Sequence, residues 1–253
     1  MNVHELLNRF NKIPRVTVMS LKTRLIVETV VFAVLVYAAT IVLQIYQPAT
    51  GGYFNLGESM IYVAALASGP VVAGIAGGVG AALADLTTGY QIFAPGTLVI
   101  KLLEGLVAGY LARLLRSRHQ KIIGGLLGAV YASVFTGFAL VKYSGIVQVG
   151  PTGFEVNIPW YIWLLIGMLL GFTLIYSLLT KYSSMGEALA LLTGGMIMVT
   201  GYFLYEYFIS NPYTGRPPID AVIEIPVNIG QAITGIVVAL PVVSWLRRAG
   251  YLK

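Results

Sequence analysis

Residues 51–111 read GGYFNLGESMIYVAALASGPVVAGIAGGVGAALADLTTGYQIFAPGTLVIKLLEGLVAGYL. The stretch is apolar enough for a bundle embedded in lipid, yet it holds Glu58, Asp85, Lys101 and Glu104. An ionisable side chain in hydrocarbon is costly, so each of these residues is a candidate for function. Their depth along their helices decides which function.

Hydrophobic residues make up 57% of the 253-residue chain and charged residues 10%; soluble domains carry roughly 45–50% and about 25%. With several long apolar runs, this predicts an all-α integral membrane protein. The length allows about eight spans of roughly 20 residues each with short loops. The absence of cysteine excludes disulfides, iron–sulfur clusters and thiolate metal sites. Arg9, Lys12, Arg15, Lys22 and Arg24 precede the first span with no separate apolar h-region, so no cleaved signal peptide is expected. The net charge of +6 resides mostly in cations that flank spans. It therefore reads as membrane topology, with no nucleic-acid partner.

The apolar runs place spans at 25–45, 56–68, 71–88, 97–115, 122–143, 159–181, 187–209 and 226–246. Gly69-Pro70 separates the second from the third. Treating them as two spans puts Arg113, Arg116, Arg118, Lys121, Lys181, Arg247, Arg248 and Lys253 on the same side as the basic N-terminus. Only Lys142 and Arg216 remain outside. Merging them would move the Arg113–Lys121 cluster outside, against the positive-inside bias. The consistent topology has eight spans and both termini cytoplasmic. Small residues recur at Gly74/Gly78, Gly105/Gly109, Gly124/Gly128 and Gly167/Gly171, a spacing that lets helix backbones approach closely. The run GGVGAALAD lacks the third glycine and the preceding strand of a dinucleotide-binding loop.

In this topology the polar residues share the outer side. At about 1.5 Å per residue, Lys101 and Glu104 lie roughly 6 and 10 Å below the outer end of their helix. Glu58, Asp85, Tyr202, Tyr205, Glu206, Glu224, Asn228 and Gln231 occupy the outer parts of theirs, while Glu28 and Glu187 lie near cytoplasmic ends. Polar groups focused by an apolar bundle suggest a small-molecule pocket. For any single tyrosine an interfacial aromatic belt serves equally well. Two readings stay open for Lys101 and Glu104: lining of a pocket, or a structural ion pair at i,i+3.

Catalysis finds no constellation. The histidines, His4 and His119, lie on the cytoplasmic side, far from the carboxylates, so neither a Ser/His/Asp set nor a histidine-rich metal site assembles. An alternating-access transporter would hold its site near the midplane, where this chain has almost no ionisable residue. A receptor, or half of a transport machine, fits better.

The runs NLGESMIYVAALASGPVVAGIAGGVGAALADLTTGY (55–90) and APGTLVIKLLEG (94–105), followed by GGMIMVTGYFLYE (194–206) and AVIEIPVNIGQAITG (221–235), resemble the substrate-binding S components of energy-coupling factor (ECF) vitamin transporters. The likeness is to the riboflavin-type group. It implies a single membrane domain with a six-helix core, here within 25–115 and 187–246; the extra helix pair inserted over 119–184 departs from that pattern. It implies capture of a small vitamin or precursor, riboflavin-like as a first guess, in an outward-facing pocket. The partners implied are a transmembrane coupling subunit and two cytosolic ATPase subunits, in a prokaryotic cell membrane. No enzymatic activity, cofactor or metal is implied. Matched by segment, the ligand residues are Phe54, Asn55, Lys101, Glu104, Tyr202, Glu206, Asn228 and Gln231. The family's Ala-xxx-Ala docking surface has Thr29-xxx-Ala33 as its nearest counterpart, with Ala73 and Gly77 as a second small-residue surface. The competing reading is a stand-alone small-molecule transporter on the same bundle.

Overall fold

The computed structural model describes residues 20–115, 133, 136–137, 140–141, 144–149, 154–179 and 185–252. Its main helices are α1 (Leu21–Val42), α2 (Gly57–Ala67), α3 (Pro70–Thr88), α4 (Ala94–Leu114), α5 (Trp160–Leu179), α6 (Met185–Tyr205) and α7 (Ala221–Arg248). Two antiparallel hairpins join them: β1 (Ile45–Tyr46) with β2 (Tyr53–Phe54), and β3 (Gly145–Val149) with β4 (Phe154–Ile158). Among the described residues, Leu21–Val42, Pro70–Thr88, Gly186–Tyr213 and Pro218–Arg248 are long and apolar enough to cross a membrane. The chain is a helical membrane protein. The expected span 122–143 lies almost wholly outside the described residues.

Helix α1 begins at Ser20, whose hydroxyl accepts from the Thr23 N–H at 3.1 Å, the usual satisfaction of a free helix-start donor. Its 22 residues span about 33 Å. Leu21, Ile26, Val30, Val34 and Val42 are each more than half exposed, an exterior suited to lipid tails.

Helix α2 has only 11 residues, about 16 Å, too short to cross a bilayer alone. The reason lies just before it. The β1–β2 hairpin dips into the bundle, and the Asn55 N–H donates at 2.7 Å to Gln231, ten residues into α7. Helix α2 therefore starts well inside. It ends at Gly69, whose φ of 95° breaks the helix before Pro70 opens α3. The chain reverses there, as two separate elements.

Helices α3 and α4 pack through their glycines. A methyl on Gly105 would sit 2.5 Å from the Ala73 carbonyl, and one on Gly78 would sit 2.6 Å from the Leu98 oxygen. These contacts use the first two small-residue ridges as the sequence suggests. They also correct the second docking surface. Ala73 is wholly buried, and Gly77 faces Ile61 and the Lys101 carbonyl, so this pair cements the bundle instead of meeting a partner. Thr29 and Ala33 on α1 are half-buried, the Ala33 carbonyl lying where a Gly80 side chain would be.

Helix α6 runs into a π-turn at Glu206–Ser210 and a single helical turn at Asn211–Tyr213 before α7 begins. Away from the β1–β2 hairpin, Arg247 of α7 holds Glu187 of α6 through two bonds of 2.8 and 3.0 Å. At the same end the Arg113 guanidinium donates to the Ser68 carbonyl at 3.1 Å. Helix α5 packs on α7, β3 lies beside β1, and Gly167 sits against Thr136.

Candidate functional site

A cavity lies at the end of the bundle that carries the β1–β2 hairpin. It is assembled from distant parts of the chain. Helix α1 contributes Thr40; the hairpin and its exit give Gly52, Tyr53 and Asn55; α3 gives Ala81 and Asp85. Phe93 precedes α4, which supplies Thr97 and Lys101. The end of α6 and its π-turn give Tyr202 and Glu206, and α7 supplies Glu224, Asn228 and Gln231. A π-turn advances the backbone by an extra residue per turn and is frequent at functional sites. Here it carries Glu206.

Lys101 is 2% exposed and pairs with two buried carboxylates, Glu58 and, at 3.2 Å, Glu104. Glu104 also accepts from the Tyr62 hydroxyl at 2.7 Å. Glu58 stands in the first turn of α2, where the positive end of the helix dipole favours a carboxylate. The Lys101 ammonium lies 5.3 Å from the centre of the Tyr202 ring, within cation–π range. The Tyr202 hydroxyl donates to Thr97 at 3.0 Å.

Hairpin and helices are latched by hydrogen bonds that cross the cavity wall. The Tyr53 hydroxyl donates to Asp85 at 2.5 Å, the Thr50 hydroxyl to Glu224 at 2.8 Å, and the Asn55 amide to Gln231 at 3.2 Å. Burial, reinforced by the Asp85 charge, holds the Tyr53 phenol proton well above the usual tyrosine range, so Tyr53 is a committed donor. Its ring packs on Tyr90 with centroids 4.2 Å apart.

Six of the eight ligand residues expected from the sequence line the cavity: Asn55, Lys101, Tyr202, Glu206, Asn228 and Gln231. Two do not. Glu104 lies behind Lys101 as its buried partner, so of the two readings of that pair, Lys101 takes both roles and Glu104 only the structural one. Phe54 is half-buried in β2 opposite Ile45, and its neighbour Tyr53 faces the cavity instead. The alternation of side chains along a strand makes that a one-residue choice. Asp85 and Glu224 belong to the outer polar cluster visible in the sequence, but no spacing singles them out. Thr40, Gly52 and Phe93 carry no chemical signal of their own and reach the wall only through the fold.

A family model described as "ECF-type riboflavin transporter, S component" matches residues 20–156, just over half of the chain. An uncharacterised protein in the gap 3' region of Pyrococcus woesei is 39% identical over 118 residues, covering 47% of this chain and 76% of that protein. No solved structure matches. The family match takes in the α1–α4 side of the cavity. The residues of α6 and α7 lie beyond it.

Proposed function

Because this chain belongs to the family of ECF-type riboflavin transporter S components, we propose that it captures a small vitamin or vitamin precursor in the cavity at its β1–β2 end, and that this end faces outward. The observation that carries the reading is the convergence of Asn55, Asn228, Gln231 and Tyr202 on one cavity. Amide and hydroxyl groups supply hydrogen bonds there, and an aromatic face is offered to a flat ligand. The family's description makes riboflavin the first ligand to test. The positive-inside distribution of Arg and Lys supports an outward-facing hairpin end and cytoplasmic termini.

The site residues are tested by titrating the molecule that the native protein carries into purified variants. A buried partner left unsatisfied costs about 1–3 kcal/mol, roughly a 5- to 150-fold loss of affinity. Asn228→Ala is expected to lose that much. Glu28→Ala, remote from the cavity and paired only with exposed Arg24 among the described residues, should bind as the parent does. Equal losses in both variants would place the ligand elsewhere.

In this reading the chain works with a transmembrane coupling subunit and two cytosolic ATPase subunits. The face of α1 around Thr29 and Ala33 is the proposed docking surface, since α1 is the most exposed of the apolar helices. Ala33→Leu should weaken co-purification with the coupling subunit while ligand binding persists. Normal co-purification would reject the surface.

The segment 119–184 is proposed as an insertion peripheral to the ligand site; none of the described residues lining the cavity comes from it. A chain joining Arg118 to Ser184 by a short linker should still bind ligand. A folded deletion variant without binding would reject this. A stand-alone transporter remains the second reading, favoured if the purified protein alone moves substrate across vesicle membranes.

A further inference from the structure

The wall of the cavity has a charge imbalance. Among the described residues, Glu58, Asp85, Glu104, Glu206 and Glu224 are buried near the cavity, each no more than 2% exposed, and Lys101 is the one buried cation beside them. That cation is already engaged by Glu58 and Glu104. Asp85, Glu206 and Glu224 all line the cavity without a cationic partner among the described residues. Their donors are neutral: Tyr53 for Asp85 and Thr50 for Glu224. Among the described residues, Glu206 Oε2 is buried with no hydrogen-bond partner. Arg216, a cation on the loops of this end, lies against Gly51, donates to Thr214 at 2.8 Å, and closes no salt bridge among the described residues.

Glu206 and Glu224 also converge. A methyl group on Gly52 would stand 3.5 Å from one Glu224 oxygen and 3.8 Å from a Glu206 oxygen. Buried carboxylates need a charged or strongly donating partner, and here the chain leaves that place to a ligand. Among the described residues no group of three or more His, Asp or Glu is placed to hold a metal ion. The rings of Tyr53, Phe93 and Tyr202 on its wall suit an organic molecule, and aromatic faces attract cations.

We propose that the cavity selects a positively charged organic ligand, an amine or a cationic heteroaromatic ring, whose charge is met by Asp85, Glu206 and Glu224. This rests on the reading of the cavity as the ligand site and narrows the substrate class within it. A neutral flavin would bring no charge to Asp85, Glu206 or Glu224.

The test uses full-length protein stripped of any retained molecule and four probes. Pyridoxamine and pyridoxine share a ring and differ in an ammonium against a hydroxyl. Thiamine carries a fixed positive charge, and riboflavin is neutral. Pyridoxamine should bind at least tenfold more tightly than pyridoxine, or thiamine at least tenfold more tightly than riboflavin. Glu206→Gln, and independently Asp85→Asn, should cut the affinity for that cation at least tenfold, each variant first being shown to fold by its melting curve. Riboflavin or pyridoxine binding as tightly as the cations would overturn the charge inference while leaving the cavity as the ligand site. So would cation binding indifferent to both substitutions. Binding of none of the four probes would overturn it as well; the fate of the molecule retained by the native protein would then decide separately whether the cavity is the ligand site.

Discussion

Lys101→Met is expected to cost about 3–5 kcal/mol of stability, the loss typical of removing one partner from a buried ion pair. The size follows from what stays behind. Glu58 and Glu104 are both 0% exposed and both paired with the Lys101 ammonium. Without it two carboxylates stay in a low-dielectric interior, where among the described residues the Tyr62 hydroxyl donates to one of them. The same logic makes the loss reversible. The triple variant Lys101→Met, Glu58→Gln, Glu104→Gln removes all three charges and should regain most of the stability, since replacing a whole buried network is often close to neutral. Thermal melts in one detergent compare the three proteins. A single variant as stable as the parent would mean that the Lys101 network does not hold α2 to α4.

Glu187→Ala is the second large effect. The glutamate receives two bonds from Arg247, at 2.8 and 3.0 Å, and both side chains are more than nine-tenths buried. The pair ties the start of α6 to the end of α7, far from the cavity. Removing the carboxylate leaves a buried guanidinium and should lower stability by about 3–5 kcal/mol. Glu28→Ala breaks a pair that lies on the surface and should leave the melting curve where it was. In sequence these two glutamates look alike, each near a cytoplasmic helix end. Their difference is burial. Equal melting curves for the two variants would deny the clasp.

The sequence carries the helices well because apolar runs bounded by glycine, proline and charge are local signals. Gly69-Pro70 separates α2 from α3, and the two glycine ridges of α3 and α4 meet as their spacing indicates. Burial within the bundle is less legible. Ala73 and Gly77 have the same small side chains as an exposed docking face would have, and only the packed neighbour shows which they are. The hairpin β3–β4 shows a different gap. The strand FEVNI alternates apolar and polar residues, GIVQV is rich in β-branched residues, and the sequence between them, GPTG, is rich in glycine and proline; together these are a hairpin signature in sequence. Reading for membrane spans passes over so short a period.

The candidate site was partly legible for a related reason. Depth along helices collects Lys101, Glu206, Asn228 and Gln231 on one side, because helix geometry converts residue number into height. It does not give rotation about the helix axis. Glu104 therefore shares the height of the cavity but points behind it, and Glu58, the second partner of Lys101, is visible only once α2 is seen to begin inside the bundle. Between Tyr53 and Phe54, strand alternation decides.

The central claim is that a small molecule occupies the cavity at the hairpin end. Mass spectrometry of the gently purified chain in its native state, beside Gly52→Phe, tests it most directly. Gly52 has no positive φ to forbid a side chain, and a methyl there would look toward Thr50, Glu224 and Glu206 at 3.4–3.8 Å, so a phenyl ring would fill the space. The wild-type protein should carry one bound molecule of vitamin size and the folded Gly52→Phe variant none. Equal retention by both proteins, or no molecule on the wild type, would contradict the account.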